Sequence, residues 1–518
     1  MKKSTVFISI LLLTVGILFR FVNVEQKPYW GDEVDSLSWI SGRADFKDLA
    51  FRGQEMSVRE VLSYQSPYPG TNLIDTYQII YYEHAPIFYL LARLWMGFQS
   101  SDLMTARSLA GVISLLVFPC IYWLCVELFQ SSVVGWMAMT LVAVSPFHLL
   151  YAQEARQYTL WISLILLTSL TLLRAMRFQT IWSWILYIVT LTLMLYTHLL
   201  SVIVILTYSI YIFLQEGFRL SKTLVAYLIS SVISFLLFTP WLLVVAANVN
   251  FHKDQSPSWT KEPTSVVVLI KTWMLNFSRL FWDFNQTFES TNLFFYLLNL
   301  SLIIYAIYHL KGHSQQRTWL FLGLMIIIPF ILLATPDIIL GGRRSTPIRY
   351  FIPACLAIEI VAAYLISSKI ILAKSKQDWR QKFWQITTFT IIAVGILSCG
   401  LITHENTWWS KQREYYHSEV AAVVNQAKKP LVIANWFDIR TLAHSFSPHV
   451  TLQEIRLLKD VKSVGKDFSN VFLYQNQGNL ERLLETQTDL QIKEKYIWYR
   501  QTSPVNSTRT ILWELVRK

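Results

Sequence analysis

Eleven apolar runs, each close to the length a bilayer demands, leave this chain few folds to adopt. They fall at about residues 6–22, 106–128, 133–149, 159–176, 181–196, 198–214, 224–244, 293–310, 318–335, 349–367 and 386–403. Inside hydrocarbon every backbone N–H and C=O must find its partner within the protein, so runs of this length read as helices. The expected architecture is an all-α polytopic membrane protein. Composition agrees, with 53% hydrophobic and only 15% charged residues. The 20 Trp and 25 Tyr suit aromatic belts at the two interfaces.

Charge orients the spans. Lys2 and Lys3 precede the first run, and no small-residue cleavage site follows it, so it reads as a retained helix with a cytoplasmic N-terminus. Alternate loops then hold Arg174 and Arg177, Arg219 and Lys222, Lys311 and Arg317, and Lys369, Lys374, Lys376, Arg380 and Lys382. The opposite short loops are poorer in cations, with Arg156, Arg343 and Arg344 as exceptions, in keeping with the positive-inside rule. An odd number of spans puts the C-terminal part outside the plasma (inner) membrane. The net charge of +12 is dispersed between apolar runs, not gathered into a stripe, which argues against nucleic acid. Cys120, Cys125, Cys355 and Cys399 all lie within spans and read as small packing residues.

The expected division is a membrane domain over residues 1–403, with a long outer loop at 23–105, and an extracytoplasmic α/β domain over 404–518. In the tail, Pro430–Ala434, Asn470–Tyr474 and Tyr496–Tyr499 read as strands, with a helix near 479–486.

Four clusters carry chemistry. In Ser145-Pro-Phe-His-Leu-Leu-Tyr-Ala-Gln-Glu-Ala-Arg-Gln-Tyr158, the residues His148, Tyr151, Glu154, Arg156 and Tyr158 stand between two apolar runs. Ionisable groups there are costly and tend to face a cavity; an ordinary outer loop paired to a neighbouring helix is the alternative. Asp32 and Glu33 follow Tyr29-Trp-Gly just beyond the first run, either as a general base at the membrane surface or as a solvated helix start. Glu83-His-Ala-Pro86 opens an amphipathic helix, with His84 as cap, ligand or substrate contact. Gly341-Gly-Arg-Arg-Ser-Thr-Pro-Ile-Arg-Tyr350 sets Arg343, Arg344 and Arg349 at the outer edge of a span, suited to phosphate oxygens or to lipid anchoring.

Together, Asp32-Glu33, His84-Ala-Pro86, the 145–158 segment and Arg349-Tyr350 with Pro353 resemble the dolichyl-phosphate-mannose-protein mannosyltransferase-like group, bacterial membrane glycosyltransferases of the GT-C fold. The resemblance covers roughly residues 1–370. Its Gln153-Glu-Ala-Arg156 segment is fairly specific, and Ala85 departs from the usual pair of prolines after the histidine. The resemblance implies an inverting transferase that takes a sugar from a polyprenyl-phosphate donor to a hydroxyl of a lipid, glycan or protein acceptor. Asp32 would be the catalytic base, Glu33 its neighbour, and Glu154 a second acidic residue that positions substrate or, with Asp32, holds a divalent metal ion. His84, His148, Tyr151, Arg156, Tyr158, Arg343, Arg344, Arg349 and Tyr350 would bind substrate. That picture expects the acidic pair and Glu154 to meet in one outer pocket. A transporter or flippase of lipid-linked saccharide, and a silent scaffold acting through its tail, are the rival readings. The residues do not choose the sugar.

Overall fold

The structure is a computed structural model, which describes residues 3–43, 53–80, 84–99, 104–249, 258–288, 292–370, 379–454, 468–475, 480–501 and 507–517. Glu83, Lys374 and Lys376 lie outside the described residues. The chain divides into two compact units: a membrane unit of residues 1–22, 81–88 and 108–404, and a sheet unit of 23–80, 89–107 and 405–518. This differs from a division at residue 403, because most of the 23–105 loop groups with the tail.

Each of the eleven apolar runs forms helix. Seven are long and apolar enough to cross a membrane: Met104–Phe129, Tyr158–Phe178, Lys222–Ala247, Leu293–His313, Gln316–Leu340, Ile348–Ile370 and Trp379–His404. Val6–Phe19, Ile181–Leu195 and Ser201–Gln215 are shorter apolar helices. The run at 133–149 is not one straight span. It breaks into Ser132–Ala143 and Pro146–Ala152, bent by 63°. Pro146 explains the break: it has no N–H to donate and forces the preceding residue out of the helical region, and Ser145 is indeed extended at φ −80°, ψ 120°.

The neighbours are shaped to this bend. A Cβ on Gly395 would stand 2.6 Å from the carbonyl oxygen of Val144, and one on Gly16 would collide with the carbonyl of Ala143. Glycine therefore lets two helices close on the broken segment, the use small residues serve between membrane helices. Ile348–Ile370 is the most enclosed span, with 89% of its apolar window buried, against 28% for Lys222–Ala247. Its small residues Ala354, Cys355, Ala357, Ala362 and Ala363 are all buried, and it packs on Ser132–Ala143, Gln316–Leu340 and Leu293–His313. All four cysteines are buried and free.

The sheet unit is built on six strands: β1 (Glu55–Ser57), β2 (Pro430–Ala434), β3 (Thr451–Glu454), β4 (Asn470–Tyr474), β5 (Leu490–Gln501) and β6 (Ser507–Arg517). Their order is β1-β3-β2-β4-β6-β5. β3, β2 and β4 run parallel, with Val432 opposite both Leu452 and Phe472, while the outer pairs are antiparallel. Side chains alternate across the sheet. Val432, Ala434, Leu452, Phe472 and Tyr474 face one core, and Leu431, Ile433, Val471 and Leu473 face another. Both faces are covered, which is why Pro430–Ala434 is apolar throughout instead of alternating. The first core also takes Met56, Val58, Val61 and Tyr64 from the 23–105 loop. That loop thus folds into the tail's sheet as an edge strand and a short helix. The strands expected at 430–434, 470–474 and 496–499 are present, and the helix near 479–486 is Leu480–Gln487; β1, β3 and β6 had no clear sequence signal.

Candidate functional site

The expected residues are distributed over both units. His84, His148, Tyr151, Glu154, Arg156, Tyr158, Arg343, Arg344, Arg349 and Tyr350 belong to the membrane unit, Asp32 and Glu33 to the sheet unit.

In the membrane unit the bend carries the polar patch. The short helix Pro146–Ala152 ends at Gln153, and residues 153–157 turn into the span that begins at Tyr158. His148, Glu154 and Arg156 are all buried, at 3%, 3% and 2% exposure. A carboxylate from the most enclosed span braces the turn. Glu359 Oε2 lies 2.8 Å from His148 Nε2, and its Oε1 accepts the Ser145 hydroxyl at 3.0 Å, so both oxygens hold residues flanking Pro146. The Leu280 carbonyl oxygen lies 2.8 Å from the same hydroxyl, whose single proton the two acceptors share. An aromatic relay continues from there: Phe147 meets Tyr151 edge-on at 5.1 Å, and Tyr151 meets Tyr158 at 5.0 Å. The Arg156 guanidinium lies 5.7 Å from the centre of the Tyr158 ring.

Two histidines complete this cluster. His198, in the turn between two spans, stacks on Trp161 at 4.2 Å, and its Nδ1 accepts the Leu200 N–H at 3.1 Å. Its proton therefore sits on Nε2, leaving a donor on the other edge. Burial, then the charges of Arg156 and Arg349, push its pKa down to about 3. Burial together with Arg156, His198 and Arg349 likewise holds His84 well below the ordinary histidine range. Both imidazoles are neutral at physiological pH. Glu154, Arg349 and Tyr158 all act electrostatically on Tyr151. One neighbourhood thus holds two guanidiniums, one carboxylate, two neutral imidazoles and a phenol. Its surplus of positive charge and its hydroxyl-binding donors suit a phosphate joined to a polyol.

The three arginines of the 341–350 segment divide by partner. Arg343 pairs with Glu262 at 2.9 Å, and its N–H donates to the Thr260 carbonyl. Arg344 pairs with Asp337 at 3.2 Å. Asp337, fully enclosed, also accepts the Ser345 N–H and hydroxyl at 2.6 and 2.7 Å. These pairs pin the turn at Gly341-Gly342, where φ is 75° and 123° and a Cβ on Gly342 would stand 2.7 Å from the Thr260 carbonyl. Arg349 is the one whose charge reaches His84, His198 and Tyr151; its guanidinium lies 5.4 Å from the Tyr350 ring centre.

In the sheet unit the acidic pair resolves into two environments. Both residues open the helix Gly31–Ile40, in its first turn, where negative charge is favoured. Glu33 is fully buried. Arg107 grips both of its oxygens, Nε to Oε1 and Nη2 to Oε2, each at 2.8 Å, and Lys411 Nζ adds a contact at 3.0 Å. Arg107 also donates to the carbonyls of Val24, Lys27 and Pro28 and lies 3.7 Å above the Tyr29 ring. On the other side of Tyr29, His444 stacks at 4.2 Å, its pKa lowered to about 3 by burial and then by Arg107. Asp32 stays partly exposed.

Glu33 is thus committed to two cations and offers poor ligand oxygens to a metal ion. No group of three or more His, Cys, Asp or Glu side chains suited to a metal converges among the described residues. Sequence reasoning missed Glu359, Arg107, Lys411, His198 and Arg279. Arg279 is buried, donates to the Asn276 side-chain oxygen at 3.2 Å, and has its pKa lowered to about 10 by burial; its place in a loop that the charge pattern reads as cation-poor is the signal that could have found it.

A bent, glycine-packed helical bundle with a polar turn at one end of its spans, joined to a small α/β sheet unit, is the architecture of membrane glycosyltransferases of the GT-C fold. Residues 83–244 match the family model of dolichyl-phosphate-mannose-protein mannosyltransferase, a segment that includes His84, the 145–158 patch and His198. No curated protein matches the chain. Among solved structures, the chain is similar to ArnT from Cupriavidus metallidurans bound to undecaprenyl phosphate, with a TM-score of 0.58 and 12% identity over 98% of this chain and 97% of that one. It is also similar to the oligosaccharyltransferase AglB from Archaeoglobus fulgidus in complex with an inhibitory peptide and a dolichol-phosphate, with a TM-score of 0.50 and 13% identity over 91% and 69%. The fold is therefore that of GT-C, and residues 83–244 are similar to the mannosyltransferase family.

Proposed function

We propose that this protein is a multi-pass membrane glycosyltransferase that moves a sugar from a polyprenyl-phosphate donor to an acceptor hydroxyl, at the outer face, with inversion at the anomeric carbon. The observation that carries this reading is the grouping of Arg156 and Arg349 with neutral His84 and His198, beside Glu154 and Tyr151. ArnT and AglB, which share the fold, have been seen with undecaprenyl phosphate and dolichol-phosphate. The cytoplasmic N-terminus and extracytoplasmic sheet unit rest on the loop charges.

In the proposed reaction the acceptor oxygen attacks the anomeric carbon, and its proton passes to the Asp32 carboxylate. The bond from that carbon to the phosphate oxygen breaks, and the electron pair leaves with the polyprenyl phosphate. Arg349 and Arg156 stabilise the charge that develops on this oxygen. The Nε2–H of His198, with His84 and Tyr151, binds sugar hydroxyls, and Glu154 orients the ring. Arg343 and Arg344, engaged with Glu262 and Asp337, hold the turn that delivers Arg349.

The test is acceptor-dependent release of free polyprenyl phosphate by the purified protein in detergent, across a panel of lipid-linked sugars. Wild type should release it with at least one donor, and Asp32→Asn should lose this activity while remaining folded. Full activity in Asp32→Asn would remove it from the base role. Movement of intact donor across a vesicle membrane without release would favour the translocator instead.

A further inference from the structure

The ten-residue helix Gly31–Ile40 is too short to hold itself, since isolated helices of this length are marginal. Its N-cap, Trp30, gives no side-chain bond to the first turn. Besides Arg107 on Glu33 and Arg93 on the Ile40 carbonyl, what fixes it comes from the C-terminal segment of the same unit. Glu414 Oε1 accepts the Gly31 N–H at 3.1 Å, filling the place of the missing cap. Lys411 Nζ contacts Glu33 Oε2 at 3.0 Å. Arg440 Nη1 contacts Asp35 Oδ1 at 2.7 Å. The Phe437 ring lies so close to Gly31 that any Cβ there would collide with it. Residues 31, 33 and 35 are all held, on both sides of Asp32.

The four holding residues come in two pairs spaced three apart. Lys411 and Glu414 lie in the kinked turn Trp409–Glu414, and Phe437 and Arg440 share one face of the helix Trp436–Leu442. Both carriers are anchored. Trp436–Leu442 follows β2 directly, is capped by Asn435 on the Asp438 N–H at 2.9 Å, and buries Trp436, Ile439 and Leu442 in the sheet's core. Trp409–Glu414 packs on β6. A second tie runs from the Gln65 side chain to the Arg440 carbonyl at 3.1 Å and to His444. The arrangement is a rigid cradle, and catalytic geometry tolerates little displacement.

We propose that the C-terminal segment 405–518 acts as a positioning device for the helix that bears Asp32, with Lys411 and Arg440 as its positioning residues. The proposal rests on the reading of Asp32 as base. It gives the sheet unit a task in the reaction other than binding the acceptor.

Full-length Lys411→Ala and Arg440→Gln are compared with wild type and with Asp32→Asn by steady-state kinetics, and by hydrogen exchange over residues 31–40. In both positioning variants kcat should fall about 10- to 100-fold with both KM values within about twofold, the signature of a displaced catalytic group. Exchange in 31–40 should rise while exchange in β2 and β4 stays unchanged. Lys411→Arg should recover most of kcat, and Lys411→Ala placed on Asp32→Asn should lower the residual rate no further. Unchanged kcat and exchange in both variants, with Asp32→Asn inactive, would overturn the positioning role and leave the base standing. An active Asp32→Asn would overturn the base, and raised exchange without loss of kcat would reduce the cradle to a fold contact. If Lys411→Ala fails to accumulate as folded protein, Arg440→Gln decides the same question through its more exposed pair.

Discussion

Replacing Arg107 with alanine should destabilise the sheet unit by about 3 kcal/mol, and the structure shows where that figure comes from. The guanidinium is fully enclosed, as is Glu33. It makes two bonds to the Glu33 carboxylate at 2.8 Å and three to backbone carbonyls at 2.7, 2.8 and 3.1 Å. Breaking a buried ion pair by removing one partner costs about 3–5 kcal/mol, because the other charge is left without compensation. Lys411 remains on Glu33, which places the loss at the low end. For a unit of this size each kcal/mol lowers the melting temperature by about 2–4 °C, so the unfolding of this unit should move down by about 6–12 °C. Intrinsic tryptophan fluorescence of the detergent-purified protein reads this directly, since Trp30, Trp39, Trp436 and Trp513 lie in the unit. Arg107→Lys keeps a charge but lacks the two-pronged geometry, so it should fall between. Arg107→Ala combined with Glu33→Gln should melt no lower than Arg107→Ala alone, because glutamine leaves no buried anion. A melting curve for Arg107→Ala within about 1 °C of wild type would show that Glu33 is not held as an ion.

Three further outcomes follow from the same geometry. Arg349→Ala should lower kcat/KM for the lipid donor about 10- to 100-fold, the worth of one charge-assisted bond to phosphate, while acceptor KM stays near wild type. Arg343→Ala should leave donor KM unchanged, and a reversed pattern in the kinetics would reassign the phosphate contact. Glu359→Leu should lower both the melting temperature and the transfer rate, because the residue bridges Ser145 and His148 across Pro146; unchanged values of both would remove it as the brace. Acid should destabilise the protein between about pH 6.5 and pH 3: His444 is held neutral with its pKa near 3, so the unfolded chain binds the extra proton in that window and stability is lost as pH falls. His444→Phe should flatten the dependence of melting on pH by up to about 1.4 kcal/mol per pH unit, and an unaltered slope would place the effect elsewhere.

What could be read in the chain and what could not follows the range of the forces involved. Spans are dictated locally by the need to bury apolar residues and their own backbone, so each of the eleven apolar runs is helical, although among the described residues only seven helices, or eight with the bent pair, are long and apolar enough to cross a membrane. The break at Pro146 was visible in the residue itself, yet the run was read as one straight span because hydropathy averages over a kink. The sheet was harder. β1 has three residues and pairs Met56 with Leu452, far away in the chain, so nothing near it announces a strand. The acidic pair was legible as chemistry, but its division was not. Arg107 lies 74 residues from Glu33 and Lys411 lies 378 residues away, and only the folded chain tells which neighbour of a helix's first turn is locked.

Glu359 is different, because its signal was present and local. A carboxylate within Ala354-Cys-Leu-Ala-Ile-Glu-Ile-Val-Ala-Ala363 breaks an apolar run as plainly as Glu154 does. An ionisable group there is costly unless paired. Its partner had to be a donor at similar depth, and His148, itself inside an apolar run and already marked as a candidate, meets that need at 2.8 Å. The two were legible as a pair before any coordinates, provided each charge inside a span is asked for its partner. Asked of the arginines at span edges, the same question separates Arg343 and Arg344, whose carboxylates Glu262 and Asp337 are in the structure, from Arg349, whose charge acts on His84, His198 and Tyr151. Among these three, Arg349 is the one whose charge acts on the histidines and the phenol gathered around the polar turn.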